Sequence, residues 1–511
     1  MLDLLASGFA LFASVNNVLA VVIGVVIGVV IGAIPGMTGT MAVALALPFT
    51  FYMHPITAIL LLVGIYKGAY FGGSIPAILI KTPGTPAAAC TALDGYALAQ
   101  RGEGGKALHI ALYASCIADV ISTLALIFLA GVVASFALRF GPPEFFALIC
   151  FALTITAGVS GSSLLRGLIS AALGLFLATI GIDLVYGTTR LTFGEPELMS
   201  GLNFIPVLIG LFALPEIIDA VARPDLRGTG AKPVGARRAS WPDLKRCLPS
   251  IGRGSLIGVV LGAIPGIGAA PAAFLSYSEA RRKSKTPERF GKGAIEGVAA
   301  AEAGNNAVCG ATLIPLLALG VPGDVVTAVI MGAFMVHGLS PGPMLFEQNI
   351  TIVYALFMGI LLGSAVLFIA GRLAIGTFSR VADIPKAVLF PAVLVLCVFG
   401  TFAVNNNMFD VLVMLAMGMV GYLMLRLDIP AAPFLIAFIL GPMFEDNLRR
   451  SLLLSNGSLE IFFRSWIAVL FLALTALSVV AVIRKNVRFR GRPPIAGARV
   501  DPESDTAAPP R

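Results

Sequence analysis

The stretch IGVVIGAIPG, Ile27–Gly36, recurs almost unchanged as IGVVLGAIPG, Ile257–Gly266. Each copy is an apolar, helix-forming run that ends in Pro-Gly. Proline ends a helix because it has no amide hydrogen, and glycine permits the turn that follows. The repeated phrase therefore predicts two helices that stop at the same kind of break, in two related halves of the chain.

The composition is that of a membrane protein. Of 511 residues, 58% are hydrophobic and 12% are charged, whereas about 25% are charged in an ordinary soluble domain. Apolar runs long enough to cross a hydrocarbon core of about 30 Å recur along the chain, for example at Ala107–Leu138, Leu168–Leu184, Thr351–Ala370 and Trp466–Val482. Because lipid offers no partner for unpaired backbone groups, we predict an all-α polytopic membrane protein.

The charges indicate topology and no nucleic-acid partner. The net charge is +8, but the surplus lies in loops between apolar runs, where basic residues mark the cytoplasmic side. The six cysteines are scattered without paired spacing. Neither a disulfide framework nor a zinc site is expected from them.

Loop charges divide the chain into five predicted regions. These are a first transmembrane repeat (1–222), a basic cytoplasmic linker (223–253), a second repeat (254–450), a loop with a C-terminal transmembrane helix (451–484) and a disordered cytoplasmic tail (485–511). Ser255–Ser278 lies between two basic loops, so we predict a re-entrant hairpin of two short helices broken at Pro265-Gly266. The basic loop AQRGEGGKA takes the place that HGLSPGP has in the second half, which predicts halves of inverted orientation.

Further crossings are expected in each half. In the first they fall at about Ala107–Val133, Phe145–Val159, Gly167–Tyr186 and Leu202–Val221. In the second they fall at about Thr351–Ala370, Ala387–Val404, Asp410–Leu425 and Pro430–Phe444. This leaves EDNLRRSLLLSNG, Glu445–Gly457, as an outer loop before a last helix at Trp466–Ile483.

A second phrase is shared by the halves. SIPAILIKTPGT, Ser74–Thr85, corresponds to LIPLLALGVPGD, Leu313–Asp324, and each has an Ile-Pro followed by Pro-Gly. Inverted repeats with Gly/Pro-interrupted helices are typical of secondary transporters, which bind their substrates near the membrane midplane. Transport is therefore the favoured function, and a channel or an intramembrane enzyme is the alternative. Enzyme motifs such as HExxH or GxSxG do not occur in the sequence, so we predict no enzyme.

With these phrases the sequence resembles the large membrane subunit of the tripartite tricarboxylate transporters, the TctA-type family, from about Leu4 to Ile483. The segments that carry the resemblance are GAIPGMTG, GAYFGGSIPAILIKTPGTPAAACTALDGY, GAIPGIGAA, EGVAAAEAGNNAVCGATLIPLLALGVPGD, HGLSPGP and ILGPMFEDNLRRSLLLS. The resemblance implies a carrier of the bacterial inner membrane that works with a small membrane subunit and a periplasmic solute-binding protein. It implies uptake of di- or tricarboxylates on a cation gradient, with Na⁺ or H⁺ as the coupling ion and no other cofactor. Lys81 departs from the family pattern, in which a small polar residue is frequent.

Backbone amides at helix starts after the Pro-Gly breaks are suitable donors for a carboxylate. The substrate-binding candidates at these breaks are Pro35, Gly36, Thr38, Thr82, Pro83, Gly84, Thr85, Pro265, Gly266, Gly268, Pro322 and Gly323. Ser74 is added as a hydrogen-bond donor and Lys81 as a positive charge, although Lys81 is equally consistent with snorkelling to an interface. The alternative is that the breaks only kink packed helices; four matched pairs favour a site. For the GxxxG spacing at Gly24, Gly28 and Gly32, packing is the better interpretation.

EAGNNA places Glu302, Asn305 and Asn306 on one helix face within an apolar segment. Carboxylate and amide oxygens suit a hard cation, and amide N–H groups suit a carboxylate substrate. We therefore predict Glu302, Asn305, Asn306 and Asp324 as ligands of the coupling cation, and the two asparagines also as substrate ligands. The alternatives are a polar cluster that ties helices together and, for Asp324, an N-cap alone.

Other polar residues have simpler expected roles. Asp94 is expected to cap or close a turn beside Gly95, with a cation ligand as the alternative. Glu296 is expected to be a first-turn charge favoured by the helix dipole. Asp119 is expected to bond a neighbouring helix or to carry a proton. The three histidines, His54, His109 and His337, are expected at surfaces or interfaces.

Overall fold

The computed structural model describes residues 2–160, 163–183, 187–222, 238–377 and 386–489. Helices dominate this part of the chain, as predicted. The described strands form one two-stranded antiparallel hairpin, β1 (Gly181–Ile182) and β2 (Thr189–Arg190). This hairpin was not predicted, and it stands where the expected crossing Gly167–Tyr186 was to end.

The first half contains eleven described helices. They are α1 (Leu2–Phe12), α2 (Val15–Gly32), α3 (Gly39–Thr50), α4 (Pro55–Gly72), α5 (Ser74–Ile80), α6 (Ala88–Gln100), α7 (Gly104–Ala137), α8 (Pro142–Val159), α9 (Leu164–Ala178), α10 (Phe204–Phe212) and α11 (Leu214–Ala222). The expected crossing Leu202–Val221 is divided between α10 and α11.

The second half and the C-terminal segment contain twelve described helices. They are α12 (Trp241–Gly262), α13 (Ala269–Lys283), α14 (Ile295–Ala311), α15 (Leu313–Leu319), α16 (Val325–Val336), α17 (Pro343–Gln348), α18 (Ile350–Thr377), α19 (Lys386–Asn405), α20 (Met408–Arg426), α21 (Ala431–Leu454), α22 (Ile461–Arg464) and α23 (Trp466–Phe489). Within the described residues, seven helical segments are long and apolar enough to cross a membrane, and α4 with α5 counts as one of them. The chain is therefore a multi-pass membrane protein.

Both predicted Pro-Gly breaks of the opening phrase are confirmed. Helix α2 ends at Gly32 before Pro35-Gly36, and α12 ends at Gly262 before Pro265-Gly266. Gly36 and Gly266 have φ angles of +89° and +83°, a region that residues with a Cβ rarely enter. The turn after each proline therefore depends on its glycine.

The second shared phrase also has one local structure in both halves. Helix α5 follows α4 after Gly73, and α15 follows α14 after Thr312. Each short helix ends on a left-handed residue, Lys81 with φ +58° and Gly320 with φ +70°. The next helix, α6 or α16, begins after the Pro-Gly pair.

Close packing of small residues holds α2 against α4. Gly24 and Gly28 face α4, and Gly64 and Gly68 face α2. A Cβ added at Gly28 would clash with the carbonyl oxygen of Ile65. The packing interpretation of the GxxxG spacing is confirmed, and the reciprocal glycines of α4 complete it.

Several predicted boundaries differ from the structure. Helix α12 begins at Trp241, so it crosses the predicted limit between linker and second repeat, and the first arm of the predicted hairpin is not short. The polar sequence after Phe444 was wrongly predicted as loop, because α21 continues to Leu454. Helix α23 continues past the predicted tail boundary to Phe489. Residues 223–237 of the predicted linker and 490–511 of the predicted tail lie outside the described residues.

Candidate functional site

A cavity of about 260 Å³ lies where the helices that follow the four Pro-Gly breaks begin. Its walls come from the starts of α3, α6, α13 and α16, together with residues of α4, α8 and α21. The lining residues are Thr40, Tyr70, Thr85, Pro86, Ala87, Val159, Ser160, Ile267, Gly268, Ala269, Ala270, Pro271, Asp324, Val325, Val326 and Ala432. The helix starts that the sequence separates by up to about three hundred residues therefore share one space.

At three of these four helix starts, a nearby side-chain oxygen accepts a hydrogen bond from a backbone amide of the first turn. Thr38 Oγ1 accepts from the amide of Met41 at 3.2 Å, and Thr85 Oγ1 accepts from the amide of Ala88 at 3.3 Å. Asp324 Oδ1 accepts from the amide of Thr327 at 2.8 Å. The N-cap role expected for Asp324 is confirmed.

The fourth helix start, that of α13, is different. Its N-cap is Gly268, which has no side chain and has φ +71°. Ala269 and Ala270 follow it and line the cavity. Because first-turn amides have no acceptor inside their own helix, this helix start presents donors and a positive dipole end to the cavity.

Asp324 lies beside that donor-rich helix start. A Cβ built at Gly268 would be 3.6 Å from Cβ of Asp324. Oδ2 of Asp324 accepts hydrogen bonds from the hydroxyls of Tyr66 at 2.8 Å and Tyr70 at 3.0 Å, both on α4. An anion bound at the start of α13 would therefore be close to a carboxylate.

Glu302 is the centre of a second polar cluster, and its side chain is fully buried. Oε1 accepts from Ser74 Oγ at 2.6 Å and, over a short distance, from Thr91 Oγ1. Oε2 accepts from Ser115 Oγ at 3.0 Å and from Asn306 Nδ2 at 3.2 Å. We call these residues the Glu302 cluster: Ser74, Thr91, Ser115, Glu302 and Asn306.

Asn305 is buried on the same helix and points elsewhere. Its Nδ2 donates to the carbonyl of Tyr70 at 3.5 Å. Within the described residues its Oδ1 has no hydrogen-bond partner. The predicted neighbours Glu302 and Asn306 are brought together, whereas Asn305 contacts α4.

The glycines of the breaks connect the loops to each other. The amide of Gly84 donates to the carbonyl of Gly73 at 3.1 Å, and the amide of Gly266 donates to the carbonyl of Gly323 at 2.8 Å. Of the predicted break residues, only Thr85 and Gly268 line the cavity themselves. The other break residues, among them Pro35, Gly36, Pro83, Pro265 and Pro322, lie in the turns between helices.

Lys81 and Thr82 are exposed and do not line the cavity. Lys81 is the left-handed cap of α5, and its Nζ lies 5.7 Å from the centroid of the Tyr96 ring. Thr82 Oγ1 donates to the carbonyl of Ile80 at 3.3 Å. Lys81 and Thr82 therefore belong neither to the lining of the cavity nor to the Glu302 cluster.

A buried ion pair was not found from the sequence. Lys67 Nζ lies 2.9 Å from Oδ2 of Asp119, and the two side chains are 2% and 1% exposed. Lys67 also donates to the carbonyl of Ile360 at 2.5 Å and to Ser364 Oγ at 3.1 Å. Asp119 thus contacts a neighbouring helix, as one of its two expected roles required. Lys67 is a lone lysine within an apolar run, and this signal could have suggested it as the partner of Asp119.

Other expectations are corrected. Asp94 lies inside α6 and closes no turn; it is fully buried, and its Oδ1 accepts from the amides of Gly293 and Ala294 before α14. His109 is 8% exposed and not at a surface. Glu296 is in the first turn of α14, as predicted, and pairs with Arg246.

The fold and the cavity define a multi-pass helical membrane protein with a cavity between interrupted helices. The chain belongs to the tripartite tricarboxylate transporter TctA family, whose model matches residues 18–436. It is therefore a component of a tripartite transporter, which confirms the resemblance found from its motifs.

Two relatives come from Agrobacterium vitis. The chain is 39% identical over 449 residues to an uncharacterized 52.8 kDa protein in the TAR-I ttuC' 3' region, covering 88% of this chain and 89% of the relative. It is 37% identical over 231 residues to an uncharacterized protein in the TAR-II ttuC' 3' region, covering 45% of this chain and 96% of the relative. No solved structure matches the chain.

Proposed function

We propose that this chain is the cation-coupled carrier subunit of a transporter that imports small organic carboxylates, of the di- or tricarboxylate type. In this proposal a periplasmic solute-binding protein delivers the carboxylate, and a small membrane subunit completes the complex in the bacterial inner membrane. Family membership favours transport over catalysis. The C-terminus is proposed to lie in the cytoplasm.

The observation that carries the proposal is the juxtaposition in the cavity of the uncapped α13 start and Asp324. The amides of Ala269 and Ala270 are suited to one carboxylate group of a substrate, since helix N-termini bind anions. The hydroxyl groups of Thr40, Thr85 and Ser160 on the cavity wall offer further donors. At about 260 Å³ the cavity is smaller than the roughly 300–1,000 Å³ of drug-sized sites, which suits a small carboxylate.

The same juxtaposition supports coupling to a cation. Two carboxylates close together in a medium of low dielectric repel strongly. An anionic substrate beside Asp324 is therefore stabilised when a cation or a proton enters with it. We propose Asp324 and the Glu302 cluster as the groups that bind this positive charge.

Uptake by the reconstituted complex tests the proposal. The chain, the small membrane subunit and the binding protein are placed in proteoliposomes, and a panel of carboxylates is offered with a Na⁺ or an H⁺ gradient imposed separately. We expect saturable accumulation driven by one of the gradients and reduced at least tenfold in Asp324→Asn. Conductance that does not saturate would support a channel, and chemical turnover without translocation would support an enzyme.

The inverted arrangement of the two halves is part of the proposal and has its own test. Arg101→Cys and Ser340→Cys, both at exposed positions, are introduced after replacement of the half-buried Cys116 and Cys150 by alanine. An impermeant thiol reagent should label the two positions from opposite sides of the membrane. Labelling from the same side would contradict inversion.

A further inference from the structure

The Glu302 cluster contains an acid whose hydrogen bonds all come from neutral groups. Three donors are hydroxyls from α5, α6 and α7, and the fourth is the amide of Asn306. Within the described residues no basic side chain lies within ion-pairing distance of Glu302. Glu302 therefore accepts four hydrogen bonds, but no basic side chain of the described residues would compensate its charge if it were ionised.

An ionised carboxylate in this setting needs a cation. Four donors stabilise the carboxylate anion, because hydrogen bonds to the charged form favour that form. A buried charge without a partner in a membrane protein is costly, and such residues usually mark ion pathways. Binding of a small cation beside the carboxylate would supply the positive charge that the anion lacks.

The oxygens around Glu302 suit a small monovalent cation. Each hydroxyl has lone pairs besides its donated proton, so Ser74, Thr91 and Ser115 can turn their oxygens to an ion once it binds the carboxylate. Carboxylate and neutral oxygens without sulfur or imidazole are the ligand set of hard cations. One carboxylate matches a single positive charge, and the described residues contain no group of three His, Cys, Asp or Glu that could hold a multivalent metal.

The position of the cluster links it to the transport cavity. Ser74 is the first residue of α5, directly after the interruption that follows Tyr70, and Tyr70 contacts both Asp324 and Asn305. Thr91 lies in the first turns of α6, whose start lines the cavity. An ion that draws these two hydroxyls inward would fix the relative positions of α5 and α6 beside the substrate.

We propose that Glu302, Ser74, Thr91 and Ser115 form a binding site for Na⁺, and that Na⁺ at this site is the coupling ion. Thr91 and Ser115 were not among the candidates predicted from the sequence. The proposal deepens the proposed transport function and rests on it for the coupling role, but the binding site stands independently of transport.

The test measures ion binding by the purified full-length chain in detergent. Thermal unfolding is followed in NaCl, KCl and choline chloride at equal ionic strength, and binding of radioactive Na⁺ is measured in parallel. We expect the unfolding midpoint to rise in a saturable manner with Na⁺ alone, since a ligand of the folded state stabilises it. Glu302→Gln should abolish both the rise and the bound radioactivity.

Conservative variants keep the test valid if Glu302→Gln does not fold. Ser115→Ala and Thr91→Val should raise the half-saturating Na⁺ concentration about tenfold or more. Ser122→Ala and Thr123→Val are matched controls, because both side chains are buried on α7 and donate to the carbonyl of Asp119 within their own helix. The controls should keep wild-type Na⁺ affinity.

Two results would overturn the site: no Na⁺-specific effect in the wild type, or an unchanged effect in Glu302→Gln. Stabilisation by lower pH that Glu302→Gln reproduces would assign a proton to Glu302 in place of Na⁺. Uptake driven by an H⁺ gradient without Na⁺ would refute the coupling role while the proposed transport function stood. Na⁺ binding without any carboxylate uptake would instead refute the proposed function.

Discussion

Two buried acids, Asp119 on α7 and Glu302 on α14, have their charges compensated in different ways. Asp119 is paired with Lys67 at 2.9 Å, so its counter-charge is part of the protein. Glu302 is surrounded by hydroxyl and amide donors, and no basic side chain of the described residues pairs with it. The comparison separates a charge that the fold itself neutralises from one that, in our proposal, a bound solute neutralises.

The largest effect is expected from breaking the ion pair on one side only. Lys67→Met leaves Asp119 buried and unpaired, and a broken buried pair costs about 3–5 kcal/mol. The double variant Lys67→Met/Asp119→Leu removes both charges and should be near wild type or more stable. The unfolding midpoint of purified protein measures both. Equal losses in the single and double variants would show that the pair does not behave as a unit.

An amide substitution should act in opposite ways at the two acids. Asp119→Asn strands Lys67 and should destabilise by several kcal/mol, again because an unpaired charge remains. Glu302→Gln removes a charge that has no partner, and hydroxyl groups can reverse to accept from the new amide. In buffer without Na⁺ we therefore expect Glu302→Gln to be at least as stable as wild type, because a buried charge without a partner is costly. Comparable destabilisation at both positions would remove the distinction.

The contrast also shows what the sequence could and could not predict. The Pro-Gly breaks were predictable because Pro and Gly act on their own backbone. Glu302 and Asn306 were predictable as neighbours because they are four residues apart on one helix. Thr91 and Ser115 were not, since each is about two hundred residues from Glu302 in the chain and neither residue type is unusual in an apolar helix.

Two residues were misassigned from local sequence cues. Lys81 was interpreted either as a positive charge near the substrate or as a side chain that snorkels to an interface. It adopts the left-handed conformation that ends α5, the position held by Gly320 in the other half. Asp94 was assigned to an Asp-Gly turn because that dipeptide favours turns. Inside α6 its carboxylate instead accepts from the amides that precede α14. The backbone conformation at Lys81 and a tertiary contact at Asp94 therefore determine the roles of these side chains. Neither could be deduced from charge or from the Asp-Gly dipeptide alone.

The smallest effect is expected at a third pair, Lys106–Asp243, which lies at the polar start of α12 at 2.7 Å and remains partly exposed. Its partial burial opposes ionisation of Asp243, but hydrogen bonds from Lys106 and Ser240 outweigh this and lower the pKa of Asp243 from 3.8 to about 2. A lowered pKa means that the pair stabilises the fold above about pH 4, and that this contribution is lost as the pH falls through 2.

Lys106→Met should therefore reduce stability by at most about 1 kcal/mol near neutral pH, because exposed pairs are screened by solvent. The difference from wild type should shrink in 1 M salt and again as the pH approaches 2, whereas the Lys67→Met difference should not respond to salt. Unfolding midpoints of both variants across a salt and pH series provide the measurement. Equal salt sensitivity of the two pairs would place Lys67 and Asp119 in contact with water, and the buried ion pair could then no longer serve as the counterpart of the unpaired Glu302.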